Sequence, residues 1–354
     1  MLRRRSLLAG MAAGLTLSGC GSNRWPRGSN GEEMRVNFYN WDTYTGETTL
    51  ADFKAATGIS VRMSLFGNTD ELFARLKAGN PGFDVIVPAN EFVTRLRISD
   101  MIEPLDHRRI PNLRNILPEF VDVPYDPGRR FSVPYTWLVL GLGYRKSRVD
   151  GVPDSWKWVF DSDRYTGRIG LFAESDDIIR VGAKYLGASV RGVSPAMTRR
   201  VVDMLIRQKP HIKVFHHDEG QDLLAAGDVD IVVEYNGDIA QVMADDPDIG
   251  FVVPREGTLL NSDCLCIPKG APRPDNAHRF INYLLDAKVS AAISRTIRYP
   301  TPNGAALALM PDDYRHNPVI FPPADVMARG EYGDFEGIAR AQAVDEAVTE
   351  IMAA

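Results

Sequence analysis

The chain has 354 residues, 44% hydrophobic and 25% charged, a balance that supplies a sizeable core over about two domains and excludes disordered, collagen-like, coiled-coil and multi-pass membrane architectures. Its 41 Lys and Arg against 46 Asp and Glu give a formal charge of −5. Without the first 19 residues, whose only charges are Arg3, Arg4 and Arg5, the balance is 38 to 46, or −8, which argues against nucleic acid as a partner.

The N-terminus reads as an export signal. An uncharged run over residues 6–19 follows the three arginines, too short to span a bilayer but the length of a signal h-region. Leu17-Ser18-Gly19-Cys20 resembles the lipobox of bacterial lipoproteins, which implies cleavage before Cys20, lipidation there, and a protein anchored to the membrane in the periplasm or at the cell surface. Arg4-Arg5-Ser6-Leu7-Leu8 also resembles a twin-arginine signal. Residues 20–33, rich in Gly, Ser and Pro, read as a flexible tether.

From residue 34, strand and helix patterns alternate. Residues 36–39 predict a strand, and residues 49–57 a helix with Leu50 and Phe53 on one face and Gly58 as its stop. A second strand is expected over 59–66 with Val61, Met63 and Leu65 inward, then a helix over 70–78 with Leu72, Phe73 and Leu76 inward, then a short buried strand over 84–87 ended by Pro88. This βαβαβ order predicts a parallel sheet with helices on both faces. Residues 133–144, a long apolar β-prone stretch, predict a crossover into a second lobe with strands at 168–172 and 231–235 and helices at 177–186, 195–207 and 238–244. Residues 262–267 predict the return crossover, and 276–285 a helix packed on the first lobe. The expected division is 34–138 with 264–302 in lobe 1, and 139–263 with 303–354, including C-terminal helices, in lobe 2. Such an outline fits a clamshell ligand binder or a two-domain enzyme. Cys264 and Cys266 fall on one face of the return strand, about 7 Å apart, too far for an easy disulfide, and read as small buried hydrophobes.

Ligands of open α/β sheets bind beyond the carboxyl ends of the strands. Those ends carry Asn40-Trp41-Asp42-Thr43-Tyr44, Ala89-Asn90-Glu91, Glu174-Ser175-Asp176-Asp177 and Tyr235-Asn236-Gly237-Asp238, and Asp263 opens the return strand. Acids and aromatics without Lys or Arg are the reverse of what an anion site needs. Asp42, Asp177 and Asp238 each suit a helix N-cap, but together with Trp41, Tyr44 and Tyr235 they suit an alkyl ammonium. Each carboxylate offers charge-assisted hydrogen bonds worth about 1.5–3 kcal/mol, and ring faces add about 0.5–2 kcal/mol.

On these residues the chain resembles the periplasmic spermidine/putrescine-binding proteins of ABC importers, over residues 36–341. The likeness is carried by Phe38-Tyr39-Asn40-Trp41, Asp84-Val85-Ile86-Val87-Pro88, Val133-Pro134-Tyr135-Thr136-Trp137, Asn282-Tyr283-Leu284-Leu285, Tyr299-Pro300-Thr301-Pro302-Asn303 and Phe321-Pro322-Pro323-Ala324-Asp325-Val326. It implies a two-lobe periplasmic-binding-protein clamshell of type II, a polyamine ligand, an ABC permease with its ATPase as partner, no cofactor, no catalytic residue and a monomer. Carried over residue by residue, it implies ligand contacts from Trp41, Tyr44, Asp177 with Glu174 nearby, Tyr235, Asp238, Asp263 and Tyr299, with Asp42, Thr43 and Glu91 completing the candidate set. The chain departs from the family where the first-loop acid is displaced to Asp42-Thr43, where Ala89 replaces a serine, and where Asn261 replaces an aromatic.

Two other readings use the same residues. A glycosidase would need a carboxylate pair at a fixed separation. The chain has no phosphate loop, nucleophile elbow or His-Glu-x-x-His motif, and His216-His217-Asp218-Glu219, with His211 upstream, reads as a polar loop rather than a metal site. The same clamshell with a carboxylate, sugar or iron-chelate cargo would need basic residues in the cleft, for which Arg298 is the candidate.

Overall fold

Ten strands join into one mixed sheet in the computed structural model, which describes residues 25–173 and 175–354. The expected signal segment, the expected lipidation position Cys20 and the candidate Glu174 lie outside the described residues. The strands are β1 (Arg35–Asn40), β2 (Ser60–Leu65), β3 (Val85–Ile86), β4 (Ser132–Arg145), β5 (Ile169–Phe172), β6 (Ile212–His216), β7 (Ile231–Tyr235), β8 (Ile249–Val252), β9 (Thr258–Cys266) and β10 (Gly330–Tyr332). Their order is β2-β1-β3-β9-β4-β7-β5-β6, with β10 added to β9 and β8 to β4.

The sheet has two halves. In the first, β1 runs parallel to β2 and β3, as the βαβαβ pattern predicts. In the second, β5 runs parallel to β6 and β7. The long strand β4 serves both: residues 132–139 pair antiparallel with β9, and residues 140–144 pair antiparallel with β7. With helices packed on both halves, this is the two-lobe α/β clamshell expected from the sequence.

Local chemistry explains the element ends. Helix Thr49–Thr57 stops at Gly58, which takes a left-handed φ of 73° at no steric cost. Asn68 caps helix Thr69–Lys77 by accepting the Glu71 N–H, and Ser194, followed by Pro195, caps helix Pro195–Gln208. Strand β3 is only two residues long: Pro88 has no N–H to donate, and the buried Asp84 carboxylate accepts the Asn37 N–H at 2.7 Å while pairing with Arg273 at 2.9 Å. Leu65, expected inward, is 46% exposed at the last position of β2, an edge strand.

One face of the first half buries Tyr39, stacked on Phe83 at 4.2 Å, with Leu72, Ile86, Val93, Cys264 and Cys266. The opposite face buries Phe38 against Phe280 of helix Pro274–Leu284. Both cysteines are free thiols in this core, as expected. Part of the expected tether is folded: Glu32 accepts the N–H groups of Asp275 and Asn276 at 2.9 Å each, at the start of that helix, and Glu33 pairs with Arg273 at 3.0 Å. Helix Ile338–Ala353 packs on helices Ser175–Tyr185 and Pro195–Gln208. No described helix is long and apolar enough to cross a membrane.

Candidate functional site

Loops at the carboxyl ends of β1, β3, β5, β6 and β7 converge, with the middle of β9, on one cleft. Trp41, Asp42, Tyr44, Glu91, Asp177, Tyr235, Asp238, Asp263 and Tyr299 all line it, so residues spread across the chain meet in one place. Thr43 does not line it; it is exposed and turns the first loop at a φ of 49°. Asp42 accepts the Thr43 backbone N–H at 2.8 Å, so the displaced acid is folded back toward its own loop. The Trp41 indole N–H donates to the Val87 carbonyl at 3.0 Å and its ring leans on Phe66, which fixes the ring at the lip of the cleft.

Three inner acids are each held by a tyrosine. Tyr44 donates its hydroxyl to Asp263 Oδ2 at 2.7 Å and also contacts the Thr136 hydroxyl. Tyr235 donates to Asp177 Oδ2 at 2.6 Å and accepts from the Asn261 amide, so the asparagine that replaces an aromatic positions this pair. Tyr299 donates to Asp238. Burial lifts all three phenols well above their usual range, so they remain donors. Asp238 also accepts from the Gln241 amide at 3.4 Å; a carboxylate has about four acceptor positions, so Asp238 and Asp263 keep capacity for a ligand.

The electrostatics are unbalanced at the centre. Burial pushes Asp263 up to about 7, opposed by the Tyr44 hydrogen bond and assisted by the nearby Asp238 charge. Burial likewise pushes Asp238 up to about 7 against the Tyr299 hydrogen bond. The groups acting on these two acids are hydroxyls, other carboxylates and the Gln241 amide, with no cation among them. Neither Asp177 nor Asp238 is a helix cap: both sit inside the first turns of helices Ser175–Tyr185 and Asn236–Asp245, and Tyr235 stands at the N-cap of the second.

The structure adds residues outside the candidate set. Asp176, already in a strand-end segment, and Asp70, Asp218 and Asp345 bring further carboxylates to the wall, and Phe92, Phe172 and Phe335 further rings. Phe172 ends β5 and obeys the strand-end rule; Phe335 and Asp345 come from the C-terminal region and carry no local signal. One guanidinium, Arg95, also lines the cleft, contrary to the expectation of none; it pairs with Asp70 at 3.0 Å and lies over the Phe73 ring. Arg298 is not among the lining residues and instead closes helix Ala287–Ile297 at a φ of 58°. The expected polar loop at His216 is corrected too: His216 is the buried last residue of β6, within 3.1 Å of the Val233 carbonyl, while His217 and Asp218 line the cleft. Among the described residues no three His, Cys, Asp or Glu are grouped to hold a metal ion.

An acid-lined, ring-walled cleft between two α/β lobes joined through long shared strands defines a solute-binding clamshell. The family model described as "Bacterial extracellular solute-binding protein" matches residues 48–322, and the chain belongs to that family. It is 30% identical over 317 residues to the putrescine-binding periplasmic protein PotF of Escherichia coli (strain K12), covering 84% of this chain and 86% of that one. It is 27% identical to the spermidine/putrescine-binding periplasmic protein 1 of Haemophilus influenzae, over 85% of this chain and 84% of that one. Among solved structures, the spermidine/putrescine ABC transporter substrate-binding protein PotD of Streptococcus pneumoniae superposes with a TM-score of 0.78 at 27% identity, covering 90% of this chain and 98% of that one. The family resemblance drawn from the sequence motifs is borne out by these relatives, and a periplasmic or extracellular location follows from the family.

Proposed function

We propose that the protein captures polyamines of the putrescine/spermidine class between its lobes and presents the closed, ligand-bound form to an ABC permease driven by an ATPase. The observation that carries this reading is the pairing of Asp238 and Asp263 with tyrosine hydroxyls and with no cation, deep in a cleft walled by Trp41, Tyr44 and Tyr235. Buried carboxylates without counter-ions are costly until a cation arrives, and alkyl ammonium groups bring the charge while rings cover the methylenes. Names of relatives that bind putrescine or spermidine support the same cargo. In this reading the protein has no catalytic activity and no cofactor, acts as a monomer, and is held at the membrane by lipid on Cys20. The lobes, 34–138 with 264–302 and 139–263 with 303–354, hinge within β4 and β9.

Calorimetric titration of the mature protein with putrescine, spermidine, spermine and a neutral sugar tests it. Saturable heat from an amine is the expected result; heat from the sugar alone overturns the reading in favour of another solute. Hydrolysis of a chromogenic glycoside would favour a carboxylate-pair enzyme.

A further inference from the structure

Two pairs of acids in the cleft have different partners. Asp238 and Asp263 are held by tyrosines and have no cation acting on them. Glu91 and Asp176, which line the same cleft, converge instead on Arg180. The Arg180 side chain is 0% exposed; its guanidinium lies 2.7 Å from Asp176, 3.7 Å from Glu91 and 3.4 Å from Glu336, and donates to the backbone carbonyls of Val190 and Asp334. Arg340 stands behind it, 3.9 Å from Asp176 and 3.5 Å from Glu336. Three carboxyls thus meet two guanidiniums at this end, whereas Asp238 and Asp263 have neutral hydroxyl and amide partners. Burial, with Asp176 beside it, pushes Glu91 above the usual carboxylate range despite Arg180, and the acids here already have guanidinium partners before any ligand arrives.

We infer that Arg180 is a built-in counter-cation that determines specificity by closing one end of the cleft to a third ammonium, so that the site selects short diamines over longer polyamines. This rests on the amine reading and sharpens it. Glu91 sits on helix Asn90–Ile98 behind β3, and Arg180 on helix Ser175–Tyr185 behind β5, so their pair joins the two halves of the sheet. Gly333 lets the chain cross closely over the guanidinium: a methyl there would sit 3.2 Å from Arg180 Nε. The arginine is therefore fixed in place and cannot swing aside for a longer ligand.

The test is a titration of the mature protein with putrescine, cadaverine and spermidine, repeated on Arg180→Gln and on the charge-balanced Arg180→Gln/Asp176→Asn double variant. Wild type is expected to bind putrescine at least about tenfold more tightly than spermidine. Arg180→Gln should shift that ratio toward spermidine by about tenfold, and the double variant should return it. Wild-type spermidine affinity equal to or above that for putrescine overturns the inference while leaving the amine reading intact, and this comparison stands even where Arg180→Gln fails to fold. An unchanged ratio in a folded Arg180→Gln also overturns it. No heat from any amine removes the amine reading itself.

Discussion

Asp238 and Asp263 are buried carboxylates whose neighbours are hydroxyls, an amide and other acids, and the amine reading turns on what ionises them. Replacing either with Asn keeps the shape and the tyrosine partner but removes the charge. Each variant is expected to weaken putrescine binding by about 10- to 100-fold, the equivalent of one charge-assisted hydrogen bond, by calorimetry. The same variants should melt no lower than wild type at pH 8 without ligand, since an ionised buried group without a cation is removed. Unchanged affinity in both would take these acids out of the site. The pH dependence has a definite sign. As pH falls through about 7, both side chains take up protons that a cation must displace, so affinity should drop by roughly tenfold or more between pH 8 and 5.5. The empty fold responds oppositely to these two groups. Between the usual carboxylate range and about 7 the native state holds protons the unfolded chain has released, so their contribution to stability declines as pH rises through that window and is level above it. A flat binding profile across this range would show that neither acid meets the ligand.

At the scale of elements, the sequence displayed best those segments whose burial has one period. Helix Thr49–Thr57 and strand β7 lie where their apolar spacing places them, because each packs one face or is buried throughout. Strand β6 did not announce itself: with Lys213 exposed and His216 followed by polar residues, it reads as a loop, and its end is buried only because β5 and Phe172 cover it. The strand-end rule found Trp41, Tyr44, Tyr235 and Asp238, whereas Arg95 lies a turn along a helix from Glu91 and reaches the cleft only through helix packing. Helix Asn236–Asp245 offers a test of such packing. A methyl at Gly237 would come within 2.3 Å of the Tyr299 ring, so the helix can approach only where it has no side chain. Gly237→Ala is expected to displace Tyr299 from Asp238, to destabilise the fold by about 1–3 kcal/mol and to weaken amine binding by about tenfold, measured by thermal melts and calorimetry. Wild-type affinity in this variant would mean that the tyrosine does not position the acid.

Across the whole molecule, the cleft can grip a ligand only by drawing residues from both halves of the sheet, with Trp41, Tyr44 and Glu91 behind the first half and Asp177, Tyr235 and Asp238 behind the second. A ligand shifts the lobes only by contacting both more favourably in the closed state. Small-angle scattering should therefore show the radius of gyration falling on addition of putrescine in wild type and not in an Asp238→Asn/Asp263→Asn double variant. Contraction in the double variant would place the closing contacts elsewhere. The wall contributed by Phe335 and Asp345 adds a requirement on timing. Strands β1 to β9 can pair once the chain through Cys266 is available, yet the receptacle stays unfinished until the polypeptide past Asp345 has followed. A partly threaded molecule can assemble most of its sheet but lacks a finished trap.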